Sequence, residues 1–526
     1  MERFWIVAAL AALTVAGFVW FPGHTYLYQD TQIWVPVMEW MADHRLLNRD
    51  LLVDAAHMRL TFYDDLAINL KRLTGVGFQP ILQGLQLLFR FAGLAGVFLL
   101  ARSASFSPSM ALMAAALFGM GATIVGPSVL SVELEPVPRG FAFPLALLGL
   151  GCLAQGRERA GGWAIAAGFL FHAPAVWPML LIPPWRKRVW VPVIGAGVIL
   201  ALSAAMAQSS QLNPFFGQLS PAHEELQRMR AGYNWITIWA DKFLEQYLKL
   251  AVIAVAAWWR LRHDLPDAVK PYLLWLPLVG VASIPLSYLL LEKLKWNLMP
   301  QVQPMRALLY TTALAVILCS LAGLRAAKKG LWWEAPVWLV LPCLIPLSPD
   351  ISQGPYRIPM ALAGGVAALA LVARRWPMWA PVSAVLVGIG LVALPPTWAK
   401  VHNYRTLETT ELEQLITWAQ GHTRPQALFV FRDYGRQDPN HPGIFRGRAL
   451  RPLFVDFKGG GQVNYYEKWS FEWWRRWQLV EKPFAADEWE QWRREKVDYL
   501  IFKKVPAGLE PLFANARYAV VAVPGR

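Results

Sequence analysis

Residues 157–188 read RERAGGWAIAAGFLFHAPAVWPMLLIPPWRKR, and whether they cross a bilayer once or turn back decides the fold. The apolar interior, residues 161–184, covers the roughly 20 residues that one spanning helix needs. Yet Arg157 and Arg159 precede it, and Arg186, Lys187 and Arg188 follow it. One crossing would put one of these clusters outside, against the tendency of Lys and Arg to remain in cytoplasmic loops. Two half-helices meeting at His172-Ala-Pro174 leave both clusters inside. Pro174 has no backbone N–H to continue a helix. The sequence therefore predicts a hairpin whose turn carries His172 toward the outer half of the membrane.

Working outward, residues 4–21 form a first apolar run with one basic side chain, Arg3, before it. It lacks a small-residue cleavage pattern and reads as a retained helix with its N-terminus inside. Further spans are expected at 79–101, 108–126, 141–154, 189–207, 236–258, 271–291, 304–324, 331–347, 356–372 and 378–394. With the hairpin in place, Arg102, Arg260, Arg262, Arg325, Lys328, Lys329, Arg374 and Arg375 all fall inside. Loops 208–235, 292–303 and 348–355 fall outside, with everything after Pro395.

Composition agrees. Of 526 residues, 56% are hydrophobic and 16% charged, and the mean hydropathy is +0.33. A net charge of +15 fits basic cytoplasmic loops. Nucleic acid is not the expected partner, because no soluble stretch interleaves a basic patch with aromatics. Cys152, Cys319 and Cys343 lie in apolar runs and read as small buried hydrophobes. No CxxC, Walker loop, GxSxG or HExxH motif occurs.

The expected fold is an α-helical polytopic membrane protein of about 11–13 membrane segments, including the short helical hairpin. Residues 1–396 form the membrane domain, with a long first outer loop at 23–78. Residues 397–526 form a soluble, extracytoplasmic α/β domain. Within it, 408–420, 464–479 and 487–495 read as helices, and 427–431, 449–457, 499–502 and 518–523 as strands.

The chemistry concentrates in outer segments. Tyr26-Leu-Tyr-Gln-Asp30-Thr-Gln-Ile-Trp34 opens the first loop, and residues 31–45 have the spacing of an interfacial helix. Asp30, at the mouth of a span beside Trp34, suits a base that takes a proton from a hydroxyl held against aromatic faces. Asp30-Thr-Gln-Ile also reads as a helix start, where Asp30 would be a cap. Asp50, Asp54, Asp64 and Asp65 are less specific acids of the same loop. A leaving phosphate needs positive charge. Outer candidates are Arg306, in Gln303-Pro-Met-Arg306, with His172, Arg139, Lys293 and Lys295. Arginine can hold phosphate bidentately, whereas exposed lysines also snorkel to headgroups. Glu133 and Glu135 either pair with Arg139 or line an acceptor site. His223–Arg230 reads as a solvated surface helix or a cover over the site, and the Trp-rich 469–477 as packing.

Together these features resemble the GT-C superfamily of polytopic glycosyltransferases. The resemblance rests on one helix followed by Gln29-Asp30 and an interfacial helix, on Glu133 through Pro138-Arg139-Gly-Phe-Ala-Phe-Pro144, on Gly161…His172-Ala-Pro174, and on the outer α/β domain. It covers most of the chain, through topology more than sequence. It implies an inverting transfer from a polyprenyl-phosphate-linked sugar to a lipid, glycan or protein acceptor, with Asp30 as base and Arg306 and His172 on the phosphate side. It also implies residence in a membrane such as the bacterial inner membrane. The family's usual second acid is replaced by Thr31, so a divalent metal remains an open expectation. A transporter or flippase for a lipid-linked or polar solute, or a non-catalytic partner in envelope polysaccharide assembly, is the alternative; inverted repeats and broken helices would favour a transporter, the sequence shows one break and no convincing repeat, and the large outer domain and dense outer-loop chemistry speak against it.

Overall fold

The computed structural model describes residues 2–54, 61–181, 186–206, 216–345, 357–393, 409–434, 440–485 and 488–525. Helices of six residues or more are numbered in order. The first eight are α1 (Glu2–Val19), α2 (Thr31–Ala42), α3 (Tyr63–Thr74), α4 (Phe78–Ser103), α5 (Pro108–Gly119), α6 (Pro138–Ala154), α7 (Glu158–Val176) and α8 (Lys187–Met206). Next come α9 (Pro221–Arg230), α10 (Asp241–Leu261), α11 (Lys270–Ser287), α12 (Leu308–Lys328), α13 (Glu334–Val340), α14 (Arg357–Arg375) and α15 (Ala380–Ala393). The expected loop 348–355 and the boundary at 396 lie outside the described residues.

Among the described residues, five stretches are long and apolar enough to cross a bilayer: Glu2–Val19, Phe78–Ser103, Glu158–Leu181, Lys270–Lys293 and Met299–Lys328. Pro108–Gly119, Pro138–Ala154 and Glu334–Leu344 are shorter apolar helices. On α8, Val191, Ile194, Val198 and Leu202 recur at helical spacing and face outward. Such a stripe is costly in water and natural against lipid. The chain is an integral membrane protein.

Small residues set the helix crossings. A Cβ on Gly96 of α4 would lie 2.4 Å from the Leu147 backbone, and one on Gly151 of α6 would lie 2.3 Å from the Gly96 carbonyl. The two backbones therefore touch, as small residues permit between helices in lipid. Helix α12 is almost wholly buried and is the hub around which α10, α11 and α13 pack.

The deciding stretch turns back. Helix α7 breaks at His172, whose backbone is extended, and is followed by a 3-10 turn at Trp177–Leu181. Pro174 leaves the Leu170 carbonyl without its helical donor, and the Phe62 N–H takes that place at 2.9 Å. The Ala175 N–H is diverted to His172 Nδ1 at 3.1 Å. The Phe171 carbonyl it would have met instead accepts from Thr61 Oγ1 at 2.8 Å. The two ends of the stretch meet: Arg186 pairs with Glu158 at 3.6 Å, and a Cβ on Gly162 would fall 2.8 Å from the Arg188 carbonyl.

The C-terminal unit holds α16 (Thr410–His422), α17 (Asn440–Ala449), α18 (Glu467–Glu481) and α19 (Trp489–Arg494) around one sheet. A two-stranded ribbon, β1 (Thr123–Ile124) and β2 (Val129–Leu130), lies between α5 and α6. The sheet runs β3 (Phe429–Phe431), β4 (Tyr499–Phe502), β6 (Ala519–Ala522), β5 (Phe513–Ala514) in that spatial order. β3 and β4 are parallel, with Phe429 opposite Tyr499. β6 runs antiparallel to both its neighbours.

The expected strand at 449–457 is not formed. Leu453 makes a single bridge to Phe429, flanked by Leu450 at φ 51° and by Pro452, which cannot donate to a ladder. The Leu453 N–H goes to Asp50 Oδ2 at 2.8 Å. The expected solvated helix at 223–230 is also corrected. His223, Leu226 and Gln227 are buried, because the Val463 carbonyl of the C-terminal unit engages His223 Nε2 at 2.8 Å.

This unit is welded to the segment between α1 and α4. One apolar core combines Leu27, Val35, Met38 and Tyr63 with Leu412, Phe429, Phe445 and Ile501. Beside it, Arg446 bonds Asp456 at 2.7 Å and the Gln32 carbonyl at 2.8 Å, with Asp50 3.6 Å away. All three charged side chains are buried. Helix α2, expected to lie in the membrane interface, packs against α17.

Candidate functional site

Glu135 builds the loop that presents Asp30. Its Oε1 accepts from the Tyr28 N–H at 2.9 Å, the Gln29 N–H at 2.7 Å and the Thr31 hydroxyl at 2.5 Å. Its Oε2 accepts the Asp30 N–H at 2.8 Å. One buried carboxylate thus satisfies three successive backbone N–H groups of the loop that leads into α2. Asp30 stands at the N-terminus of α2, but its own side chain makes no capping bond.

The freed Asp30 carboxylate meets two cations. Oδ2 accepts from Arg139 Nη1 at 2.5 Å, and Oδ1 lies 3.3 Å from Lys458 Nζ. Arg139 is itself fixed by Glu133, with Nε–Oε1 at 2.5 Å and Nη2–Oε2 at 3.3 Å. Burial on its own would raise the Asp30 carboxyl, but Lys458 and Arg139 outweigh it and hold the group well below the usual carboxylate range. Glu133 and Arg139 are therefore the expected pair, with Arg139 reaching on to Asp30.

On the neighbouring side, His172 Nε2 and Arg306 Nη1 are 3.2 Å apart. Because His172 Nδ1 accepts the Ala175 N–H, the hydrogen-bond network assigns the ring proton to Nε2. Guanidinium nitrogens only donate. Among the described residues, two donors thus converge with no acceptor between them, and the buried Arg306 Nε has no hydrogen-bond partner. Gln303, in the left-handed region at φ 49°, and Pro304 open the 3-10 turn that carries Arg306 inward. Trp177 Nε1 ties the hairpin to that turn through the Pro304 carbonyl at 3.3 Å. His172 lies within electrostatic range of Arg306, Arg139 and Asp30.

Four further groups border this site: Tyr233 and Tyr465, which were not singled out from sequence, and Arg230 and Lys458, which lie in the expected helix at 223–230 and in the glycine-ended run 455–461. Tyr233 and Tyr465 interact electrostatically with both Arg306 and Asp30. Burial keeps both phenols protonated, pushing Tyr465 up to about 12. Tyr233 accepts from Asn464 Nδ2 at 2.7 Å, which leaves its own hydrogen to donate. Arg230 holds the Phe457 and Lys458 carbonyls at 2.7 and 2.9 Å, and so fixes the loop that carries Lys458. The run Asp456-Phe-Lys-Gly-Gly-Gly461 was the available signal. Its glycines serve packing: a Cβ on Gly460 would lie 2.4 Å from the Trp473 ring.

Two candidates stand elsewhere. Lys295 pairs with Glu224 at 2.6 Å, in a cluster with Arg228 and Glu292. Trp34 packs edge-to-face on Tyr63, with ring centroids 5.3 Å apart. The structure brings together Asp30, Arg139, Glu133, Glu135, His172 and Arg306.

A cavity runs between α1, α4, α5 and α6. Its walls are mostly apolar, with Leu13, Leu94 and Phe143 among them, and Arg90, Glu133 and Arg139 line its polar part. It therefore reaches the residue that bonds Asp30. Among the described residues, no three His, Cys, Asp or Glu side chains are placed to hold a metal. Both oxygens of Asp30 are occupied by cationic side chains, which does not fit a divalent ion there.

No family model and no curated protein matches this chain. Solved structures similar to it include ArnT from Cupriavidus metallidurans in the apo state, at 12% identity and TM-score 0.44, over 99% of this chain and 97% of that one. ArnT bound to undecaprenyl phosphate matches at 12% identity and TM-score 0.46, over 100% and 98%. The arabinofuranosyltransferase AftD from Mycobacteria matches at 14% identity and TM-score 0.43, over 99% of this chain and 42% of that one.

Proposed function

We propose that the protein is a membrane glycosyltransferase that moves a sugar from a polyprenyl-phosphate-linked donor to a hydroxyl acceptor. The reaction would lie on the extracytoplasmic side of a membrane such as the bacterial inner membrane, with the N-terminus cytoplasmic and the C-terminal unit outside. The observation that carries the reading is the pair of converging donors, His172 Nε2–H and Arg306, with no acceptor between them and a held carboxylate, Asp30, within electrostatic range.

In this reading the acceptor oxygen attacks the anomeric carbon and Asp30 takes its proton. The bond from that carbon to the phosphate oxygen breaks, and the electron pair leaves with the phosphate. His172, Arg306 and the two phenols meet the charge that develops there. The products are the glycosylated acceptor, with inverted configuration, and polyprenyl phosphate.

The test is transfer by the purified full-length protein, offered a panel of polyprenyl-phosphate pentoses and hexoses. Asp30→Asn is expected to lower the rate by roughly 10²–10⁴-fold. Full activity in that variant removes Asp30 from the base role. Movement of a labelled donor across vesicles with no transfer supports the transporter reading instead.

A further inference from the structure

A base needs one oxygen directed at the acceptor hydroxyl, within about 2.6–3.2 Å. In the structure both Asp30 oxygens are taken, Oδ2 by Arg139 and Oδ1 by Lys458. The two cations are held very differently. The Arg139 fork is clamped by two bonds to Glu133 and is rooted in the first turn of α6. Lys458 has Asp30 as its one ion-pair partner among the described residues, at 3.3 Å, through a flexible four-carbon stem. Its backbone stays in place because Arg230 holds the Phe457 and Lys458 carbonyls. The Lys458 ammonium can therefore leave without any movement of the loop. The same loop continues through Gly459–Asn464 to Tyr465, which lies within electrostatic range of Arg306 and Asp30.

We propose that Lys458 is a displaceable clamp. It caps Asp30 in the free protein and passes to the phosphate gathered by Arg306 and His172 when the donor binds, which frees Oδ1 to face the acceptor. This inference rests on the function proposed above and adds a coupling to it. The donor's own phosphate would uncover the base, so Asp30 becomes available only when there is something to transfer to the acceptor. Lys458 acts here as a positioning residue.

The clamp requires Asp30 and phosphate to compete for one ammonium, and a double-mutant cycle reads that competition directly. The probe is farnesyl phosphate, titrated by calorimetry into the purified full-length protein. Lys458→Met is expected to weaken binding roughly tenfold, and Lys458→Arg to restore most of it. Asp30→Asn releases Lys458 and is expected to tighten binding several-fold. In the Lys458→Met background, Asp30→Asn should tighten binding much less. Equal tightening in both backgrounds means general charge relief and overturns the clamp, as does unchanged affinity in Lys458→Met. Full transfer activity in Asp30→Asn overturns the base reading by a separate readout, whatever the binding cycle shows.

Discussion

Glu135 Oε2 accepts the backbone N–H of Asp30 at 2.8 Å across 105 residues of sequence. The carboxylate proposed to do chemistry is thus positioned by a second, buried carboxylate. The two acids of the Glu133–Glu135 loop hold the site in two ways. Glu133 fixes Arg139, and Glu135 fixes the chain that carries Asp30.

Replacing Glu135 with Gln should therefore damage the loop more than the loss of one charge implies. Glutamine has a single acceptor oxygen, and its NH₂ would face backbone N–H donors. Leaving buried donors unmet costs on the order of 2 kcal/mol or more. The expected result is a lower unfolding midpoint, together with transfer activity lost beyond the loss of folded protein. An unchanged midpoint in detergent would contradict this account.

Arg446 is the buried link between the C-terminal unit and the segment between α1 and α4. Arg446→Met leaves Asp50 and Asp456 buried without their cation. Removing one partner of such a cluster costs about 3–5 kcal/mol. The burial of Asp50 already pushes its carboxyl upward, against the pull of Arg446. We expect limited proteolysis to release the region after residue 408 in the variant and not in the wild type. A triple replacement of Asp50, Arg446 and Asp456 by apolar residues of similar volume should recover much of the loss.

The contact between α4 and α6 leaves no room for a side chain. Gly151→Val should push the helices apart, because the atom in the way is the backbone carbonyl of Gly96 rather than a flexible side-chain end. Overpacking costs typically about 1–3 kcal/mol. Gly84, whose Cβ would meet nothing within 4 Å, provides the control. Gly84→Ala should express and elute as the wild type does, while Gly151→Val should give less folded material by size exclusion.

The pH dependence of the Asp30 site follows from its lowered folded value. Its contribution to stability is present above the unfolded value, about 3.9, and is lost as pH falls through the folded one. The difference in unfolding midpoint between wild type and Asp30→Asn should be flat from pH 7 to pH 5 and shrink only below about pH 4. A gap that starts to close near pH 6 would mean a raised carboxyl, incompatible with Arg139 and Lys458 at their observed positions.

What the sequence determined by itself was local or bulk in character. Hydropathy and charge determine the membrane spans. Pro174 determines the break at His172, because a missing N–H is a property of one residue. The i, i+6 spacing of Glu133 and Arg139 keeps that pair within reach of one turn. Only the tertiary structure decided what Asp30 faces. Lys458 lies far along the chain, in a unit whose expected strand at 449–457 gave way to a loop. Glu135, Arg230, Tyr465 and the Arg446 cluster likewise act across tens to hundreds of residues. No periodicity encodes such contacts, because they follow from how the C-terminal unit shares an apolar core with the segment between α1 and α4. Burial in that shared core is also what gives a few unmatched donors and carboxylates their chemical meaning.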